Sequence, residues 1–183
     1  MTRIISGSAR GRTLKVPTAG TRPTSDRVRE SIFNSLQHRL GTWQNLRVLD
    51  LFAGSGAFAF ESLSRGAAHA TAVDKAATAI DIIKTNGATL AMNVTAVKRD
   101  ADAFTKHYAG QAFDVVFIDP PYEYASESVT ALLGHLMDRG VVAPGGVLVV
   151  ERSARSEPFF VPDPLTEADH RSIGETSVHT LVW

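Results

Sequence analysis

Short apolar strands alternate with helical segments over residues 46 to 152, and this alternation limits the possible folds more than any other feature. The strand-like runs read LRVLD, HATAVD, VTAVKRD, FDVVFID and GVLVVER. Between them we expect four helices, including one that ends at Arg65, one from about Ala76 and one from about Ser126 to Arg139. Five strands that alternate with helices predict an α/β fold with a parallel sheet covered on both faces.

Both ends of the chain add to this sheet. The final stretch, SIGETSVHTLVW, follows a Pro-rich loop and predicts two antiparallel strands at the sheet edge. Residues 3 to 16 predict a small hairpin whose tip is basic and mobile. A helix should follow from an N-cap at Thr24 or Ser25 and end at Gly41. We therefore expect a basic extension over 1–40 and a main domain over 41–183, together forming one compact unit.

Composition excludes several classes of protein. A chain of 183 residues with 44% hydrophobic and 21% charged residues suits one globular domain. The sequence contains no cysteine, which rules out thiol catalysis, disulfides and cysteine-ligated metal sites. It has no apolar run as long as a membrane span and no signal-peptide stretch, so we expect a cytoplasmic protein without a membrane partner. The six histidines show no metal-ligand spacing, so we expect no metal site.

Positive charge is concentrated at the N-terminal end. Residues 1–30 hold seven Lys or Arg and two acidic residues, a net charge of +5, although the whole chain is formally neutral. Any attraction for a polyanion should therefore act through this end of the molecule. A solvated basic surface without a ligand is the alternative.

The turn after the first of these strands reads DLFAGSGAF. Asp50 should aim an acceptor into the crevice beyond the strand ends, where Gly54 and Gly56 let the backbone bend and approach a ligand. The turn is not G-x-G-x-x-G, because Phe58 or Ala59 stands where the third glycine would be. An acidic residue would also repel a diphosphate and attract an ammonium group. The turn therefore favours S-adenosylmethionine over NAD.

The next two strands also end in acidic residues. Asp74 is placed to accept hydrogen bonds from ribose hydroxyls, and Asp100 to accept from the adenine amino group. Phe52 or Ile118 would give apolar cover. Each residue alone suits an ordinary surface role, but together they predict an adenosine pocket.

The fourth strand continues into DPPY. In a doubly wound sheet this strand ends beside the first, so Asp119 should point into the same crevice. Pro120 and Pro121 have no N–H and hold the preceding residues extended, so the tip offers hydrogen-bond acceptors. Tyr122 adds a ring on which a base can stack. Fixed acceptors beside a ring suit a planar base that carries an NH₂ group, whereas a loop that merely ends the strand is the alternative.

DLFAGSGA and DPPY, together with RIISGSARGRTL and RPTSDRVRE, resemble the RsmD family of small-subunit (16S) ribosomal RNA guanine-N2 methyltransferases. The first two motifs occur in many amino methyltransferases, whereas the basic N-terminal pair is specific to this family. The resemblance implies a Rossmann-like class I S-adenosylmethionine-dependent methyltransferase fold, with a mostly parallel seven-stranded sheet and an antiparallel C-terminal strand. It also implies methylation of the N2 amine of a guanine in 16S ribosomal RNA, within an assembling or assembled small subunit. We expect the protein to be a monomer.

The resemblance also implies roles for individual residues. The set that binds the amine and stacks on the base is Asp119, Pro120 and Tyr122. The cofactor set is Asp50, Phe52, Ala53, Gly54, Ser55, Gly56, Asp74, Lys75, Asp100 and Ala101. RNA contacts are expected from Arg10, Arg12, Arg22, Thr24, Arg27 and Arg29, which would make affinity depend on salt.

Several alternatives stay open from the sequence, among them whether naked RNA or a ribosomal particle is the substrate and whether Asp119 or water takes the released proton. Arg22, Thr24 and Arg27 are equally suited to bracing a cap over the cofactor. An adenine N6 methyltransferase of DNA or RNA would share the acceptor tip. A non-catalytic RNA-binding module would keep the fold and the cofactor pocket.

Overall fold

A seven-stranded sheet forms the centre of the computed structural model, which describes residues 2–17 and 25–183. A small N-terminal pair of strands comes first, β1 Thr2–Arg3 and β2 Thr13–Leu14. The sheet strands are β3 Arg47–Leu51, β4 His69–Asp74, β5 Thr95–Lys98, β6 Phe113–Ile118, β7 Val142–Ser153, β8 Thr166–Ile173 and β9 Thr176–Val182. The helices are α1 Asp26–Leu40, α2 Ala57–Ser64, α3 Ala77–Leu90, α4 Ala101–Lys106 and α5 Ser126–Asp138. Within the described part of the chain, none of these helices is long and apolar enough to cross a membrane.

The strand order is β5-β4-β3-β6-β7-β9-β8. The five strands β5, β4, β3, β6 and β7 are parallel to one another. Strand β9 runs antiparallel to both of its neighbours, β7 and β8. The predicted α/β fold, with a mostly parallel seven-stranded sheet and an antiparallel C-terminal strand, is confirmed. The chain builds outward from β3 to β5 and then returns to place β6 on the other side of β3. The strand order therefore reverses between β3 and β6, which is where ligands bind in open sheets of this kind.

The C-terminal hairpin is longer than predicted. Strand β8 begins at Thr166, well before the predicted start at Ser172. Its sequence, TEADHRSI, is mostly exposed, because β8 is the edge strand. The sequence of β8 has no alternation of apolar and polar residues, so its pattern does not predict a strand. The strand forms because it pairs with β9.

Helix α1 begins and ends at predicted residues. The Ser25 hydroxyl accepts from the Val28 N–H at 3.2 Å, which makes Ser25 the N-cap. Gly41 has φ 71° and its N–H donates to the Gln37 carbonyl at 3.0 Å, so it ends the helix.

Helix α1 shares a core with the sheet. The Phe33 ring lies 5.2 Å from the Trp43 ring and 5.4 Å from the Phe117 ring on β6, measured between centroids. Phe117 in turn stacks on Phe58 of α2 at 4.5 Å. These rings are buried, and aromatic contacts of this kind stabilise a core beyond the area that they bury. The predicted extension and main domain therefore pack through one aromatic cluster.

A buried carboxylate anchors the N-terminal hairpin. Glu61 on α2 is fully buried, and its Oε2 and Oε1 accept from the N–H groups of Ile5 at 2.7 Å and Ser6 at 3.0 Å. Oε1 also pairs with Nε of Arg65 at 2.8 Å. A charge in this position is tolerated because every one of these donors compensates for its lost hydration.

The hairpin tip, which the sequence predicted to be mobile, is docked on the end of α2. The Ser64 carbonyl accepts from the Ser8 N–H at 2.8 Å, and the Ser64 hydroxyl accepts from the Ala9 N–H at 3.0 Å. A Cβ atom on Gly7 would lie 1.8 Å from the Ser64 carbonyl oxygen, so only glycine permits this approach.

Replacing Glu61 with alanine should lower the free energy of unfolding by about 3–5 kcal/mol, because Arg65 and two backbone N–H groups would lose their buried acceptor. Urea unfolding of the full chain measures this change. The matched control is Glu30→Ala, which removes an exposed carboxylate on α1 and should change stability by less than about 0.5 kcal/mol. Equal effects of the two substitutions would contradict the anchoring role.

Candidate functional site

A cleft of about 790 Å³ lies beyond the carboxyl ends of the parallel strands. Its size falls within the range of about 300–1,000 Å³ that is usual for ligand-binding cavities. Its wall includes residues that follow β3, β4, β5 and β6 and the end of β7, namely 52–55, 74–76, 99–101, 119–124 and 151–153. The structure therefore gathers around one cavity the residues predicted to bind adenosine and the DPPY loop, which are far apart in sequence.

The glycine turn after β3 has left-handed backbone at Phe52, Gly54 and Gly56, with φ values of 63°, 55° and 78°. Gly54 lines the cleft, and no described atom comes within 4 Å of the position that its Cβ would occupy, so its backbone is open to a ligand. Gly56 is different. It is not among the described residues that line the cleft, and its Cβ would lie 2.9 Å from the Phe60 ring. The predicted ligand approach at Gly56 is therefore corrected to a role in starting α2.

Asp74 joins the glycine turn to the end of β4. Its Oδ2 accepts from the Gly54 N–H at 2.9 Å, and its Oδ1 accepts from the Ala76 N–H at 2.8 Å. It also lines the cleft. Each carboxylate oxygen has a second lone pair, so Asp74 can fix the turn and still accept from a ligand hydroxyl.

Asp100 caps α4 and lines the same cleft. Its Oδ1 accepts from the N–H groups of Asp102 at 3.0 Å and Ala103 at 3.2 Å. The cap fixes the side chain at the end of β5, where the sequence placed an acceptor for an amino group. Ala101 and exposed Lys75 complete this part of the wall.

Of the two residues predicted to give apolar cover, Phe52 lines the cleft and Ile118 is not among the described lining residues. Phe52 packs edge-on against Tyr124, with ring centroids 5.1 Å apart. Ile118 is buried in the sheet. Ala53 and Ser55 lie in the wall beside Phe52.

Asp50 does not face the cleft, which corrects the predicted direct contact with the cofactor. Its side chain is buried, and its Oδ2 accepts from the Ala59 N–H at 3.1 Å in the first turn of α2. Burial raises the pKa of Asp50 well above its ordinary value; the Ala59 N–H opposes the shift, and the charges of Asp119 and Asp74 add to it. Asp50 thus supports the turn from behind the cleft wall.

The DPPY loop leaves β6 and enters the cleft wall. Asp119 is half-buried, Pro120 is buried, and the Tyr122 ring is 60% exposed. All three line the cleft. The Tyr124 N–H donates to the Pro121 carbonyl at 2.9 Å, which closes a turn directly after the two prolines. The exposed Tyr122 ring therefore lies in a hydrogen-bonded turn, three residues after the half-buried Asp119 carboxylate.

A buried arginine that sequence reasoning missed supports this loop. Arg152 at the end of β7 donates to the Tyr124 carbonyl at 2.6 Å and to the Ser126 hydroxyl at 3.3 Å. The Tyr124 hydroxyl donates to Asp102 Oδ2 at 2.9 Å. Burial, with this hydrogen bond, raises the pKa of Tyr124. The loop is therefore fastened to both β7 and α4.

Asn86 on α3 is a second residue that the sequence did not reveal. It is buried, and its amide donates to the carbonyl groups of Ser55 and Lys15, both at 3.0 Å. Its carbonyl accepts from the Lys15 N–H at 2.9 Å. Asn86 thereby ties the glycine turn to the chain that leaves the N-terminal hairpin.

The predicted RNA-contacting residues occupy different environments. Arg10 and Arg12 are exposed on the hairpin, and the Arg12 guanidinium donates to the Thr89 carbonyl on α3. Arg27 is exposed and lines the cleft. The two remaining positions in the predicted cap lie outside the described residues, namely Arg22 and Thr24.

Arg29 is not an exposed cation, unlike Arg10, Arg12 and Arg27. Its side chain is 1% exposed, although the residue is among those that line the cleft. It pairs with Asp26 at 2.9 Å and donates to the Arg3 carbonyl, which joins α1 to β1. The sequence could not distinguish this internal bracing from an RNA contact, because both require the same cation.

Replacing Asp50 with asparagine should increase stability by an amount that grows with pH. A raised pKa in the folded state contributes stability that is fully present below the ordinary value near 4 and is lost as pH rises through the raised value. Asparagine cannot ionise and avoids this loss. Unfolding free energies between pH 4 and pH 8 measure the difference, with exposed Asp81→Asn on α3 as the control. A stability difference between Asp50→Asn and the parent protein that is the same at every pH would contradict the raised pKa of Asp50.

The sequence has clear relatives. It matches the profile of the family described as "Conserved hypothetical protein 95" over residues 2–182. It is 40% identical over 162 residues to Ribosomal RNA small subunit methyltransferase D of Escherichia coli strain K12, covering 87% of this chain and 79% of that protein. The protein of the same name in Haemophilus influenzae is 34% identical over 181 residues, with 96% of this chain and 90% of that one covered.

A solved structure agrees with these relatives. The Escherichia coli protein yhhF, described as a candidate methyltransferase, superposes with a TM-score of 0.85 at 34% identity and covers 99% of this chain and 97% of its own. Because the family profile and both relatives span most of the sequence, the chain belongs to the family described as Conserved hypothetical protein 95, the RsmD family of small-subunit ribosomal RNA methyltransferases.

Proposed function

We propose that this protein transfers a methyl group from S-adenosylmethionine to the exocyclic N2 amine of a guanine in 16S ribosomal RNA. The proposal rests on one observation: Asp74 and Asp100, the acceptors predicted for adenosine, line the same cleft as the DPPY loop. The names of the Escherichia coli and Haemophilus influenzae relatives support small-subunit ribosomal RNA as the substrate.

The cleft fits the cofactor on the chemistry of its walls. Asp74 and Asp100 would hold the ribose hydroxyls and the adenine amino group, and Phe52 would cover the base. The open backbone at Gly54 leaves room for close approach. When bound, S-adenosylmethionine supplies an electrophilic methyl group on a positively charged sulfonium. The negative charge of Asp74 in the wall complements that positive charge.

The DPPY loop would present the amine. The Asp119 carboxylate and the Pro120 carbonyl accept hydrogen bonds from the two N–H groups, and the Tyr122 ring stacks on the base. Because the nitrogen lone pair is delocalised into the ring, these hydrogen bonds help to rehybridise it for attack. The new N–C bond forms as the methyl group leaves its sulfur, and Asp119 accepts the proton that the nitrogen then releases. Positioning and electrostatics are the main contributions of the protein to this reaction.

The basic N-terminal end would hold the RNA. Arg10, Arg12 and Arg27 are exposed and supply cations for phosphate groups around the target. Guanine N2 becomes accessible when an unpaired nucleotide turns out of its stack into the cleft. We further propose that the protein acts in the cytoplasm and as a monomer. Its RNA substrate would lie within the small subunit, because a chain of this size has little surface of its own for sequence recognition.

Labelling tests the reaction and the base together. Purified protein with S-adenosylmethionine labelled in the methyl group should label RNA in small subunits that lack the modification, and nucleoside analysis should give N2-methylguanosine. N6-methyladenosine would identify the adenine alternative. Bound cofactor without labelling of RNA would indicate a binding module and overturn the proposed activity.

Substitutions at two positions separate the acceptor role from the stacking role. Asp119→Ala should abolish turnover while cofactor affinity stays within a few-fold, because Asp119 acts on the amine. Tyr122→Ala should reduce kcat/KM by about 10- to 100-fold through loss of stacking, whereas Tyr122→Phe should change it by less than about two-fold. The control is Asp138→Ala, which removes an exposed carboxylate at the end of α5. Turnover that survives in Asp119→Ala would rule out this carboxylate as the acceptor.

A further inference from the structure

Three potential metal ligands meet on the edge strands β8 and β9. Glu167, His170 and His179 each offer one ligand atom, and these atoms lie within 4.8 Å of one another. His170 and His179 are direct partners across the two strands, and their rings stack with centroids 4.2 Å apart. Glu167 Oε1 lies 2.5 Å from His179 Nδ1. The cluster is separate from the cleft residues that the proposed methyl transfer uses.

A bulge in β8 makes this meeting possible. Glu167 and His170 are three residues apart, and on a regular strand such residues point to opposite faces. The register of β8 against β9 shifts between Glu167 and Asp169, which adds one residue and turns both side chains to the same face. Bulges commonly redirect a side chain in this way and are often found near functional sites.

Neighbouring side chains orient both imidazoles. Ser177 Oγ lies 2.7 Å from His170 Nε2 and 3.1 Å from His179 Nε2. The Phe159 ring packs edge-on against His179 with centroids 4.9 Å apart. A hydrogen bond to the second ring nitrogen is the usual way in which a protein fixes the tautomer and orientation of a metal-binding histidine. For His179 this arrangement leaves Nδ1 on the side of Glu167.

We propose that Glu167, His170 and His179 bind one Zn²⁺ ion. Two imidazoles and a carboxylate are a typical ligand set for zinc, with bonds of about 2.0–2.2 Å and a fourth position for water. Those bond lengths require ligand atoms about 3.3 Å apart, so the two stacked imidazoles would rotate out of their parallel arrangement to direct one nitrogen each at the ion. Imidazole ligands disfavour Mg²⁺ and Ca²⁺, which prefer oxygen.

The expectation of no metal site came from the spacing of the histidines along the chain. His170 and His179 lie on two strands, and the hairpin between them sets their distance. The same hairpin supplies the cleft with part of its wall, because residues 173–176 at its turn line the cavity. An ion held by both strands would therefore fix the edge of the sheet beside the cleft.

Calorimetric titration tests the site. The full chain, stripped with a chelator and titrated with zinc sulfate, should bind one ion per molecule with a dissociation constant in the micromolar range or tighter. Glu167→Gln, His170→Gln and His179→Gln should each weaken this binding at least ten-fold. The matched controls are Glu127→Gln on α5 and His107→Gln directly after α4. Both residues are exposed, and these substitutions should leave the zinc affinity unchanged.

A second measurement keeps a folding defect from being mistaken for loss of a ligand. Unfolding of the chelator-treated variants should match that of the chelator-treated parent, and zinc should raise Tm in the parent and not in His170→Gln. Absence of saturable one-to-one binding would overturn the proposal. Equal weakening in the control variants would overturn it as well, because the ion would then bind elsewhere.

Discussion

The parallel pairing of β3 with β6 is the constraint on which the site depends. Leu51 and Ile118 are register partners at the ends of these strands, so the residues that follow them, Phe52 and Asp119, leave the sheet side by side. Strand order reverses at this pair, which opens the cleft there. A glycine turn for a nucleoside and an acceptor loop for an amine are thereby brought together, although 67 positions separate residues 52 and 119 in the sequence.

Buried and half-buried polar groups then fix the loops around the cleft. Half-buried Asp74 holds the glycine turn, buried Asn86 ties that turn to the N-terminal hairpin, and buried Arg152 fastens the DPPY loop. The two buried groups are costly to bury alone, and each is hydrogen-bonded to backbone groups. Glu61 does the same for the hairpin. The loops therefore have one arrangement in which these groups are paired, and this pairing preorganises the site.

Local patterns in the sequence were sufficient for most of the sheet, for the N-terminal cap of α1 and for the glycine turn and DPPY loop that line part of the cleft. They failed where a long-range contact decides the outcome. Asp50 turns toward α2 because the Ala59 N–H lies there, and Arg29 is buried by Asp26 and the hairpin. Strand β8 exists because β9 pairs with it, and the same pairing creates the histidine cluster. None of these contacts leaves a periodic signal along the chain, because partner and residue lie on different elements.

The most direct test of the account is a crystal structure of the protein with S-adenosylhomocysteine. The ribose hydroxyls should lie within about 2.6–3.2 Å of the Asp74 carboxylate, a normal hydrogen-bond distance. The sulfur atom should face the Asp119 and Pro120 side of the cleft, where an amine held by the loop would be in line with the transferred methyl group. A sulfur atom turned away from that loop, with the adenosyl group remote from Asp74, would contradict the account.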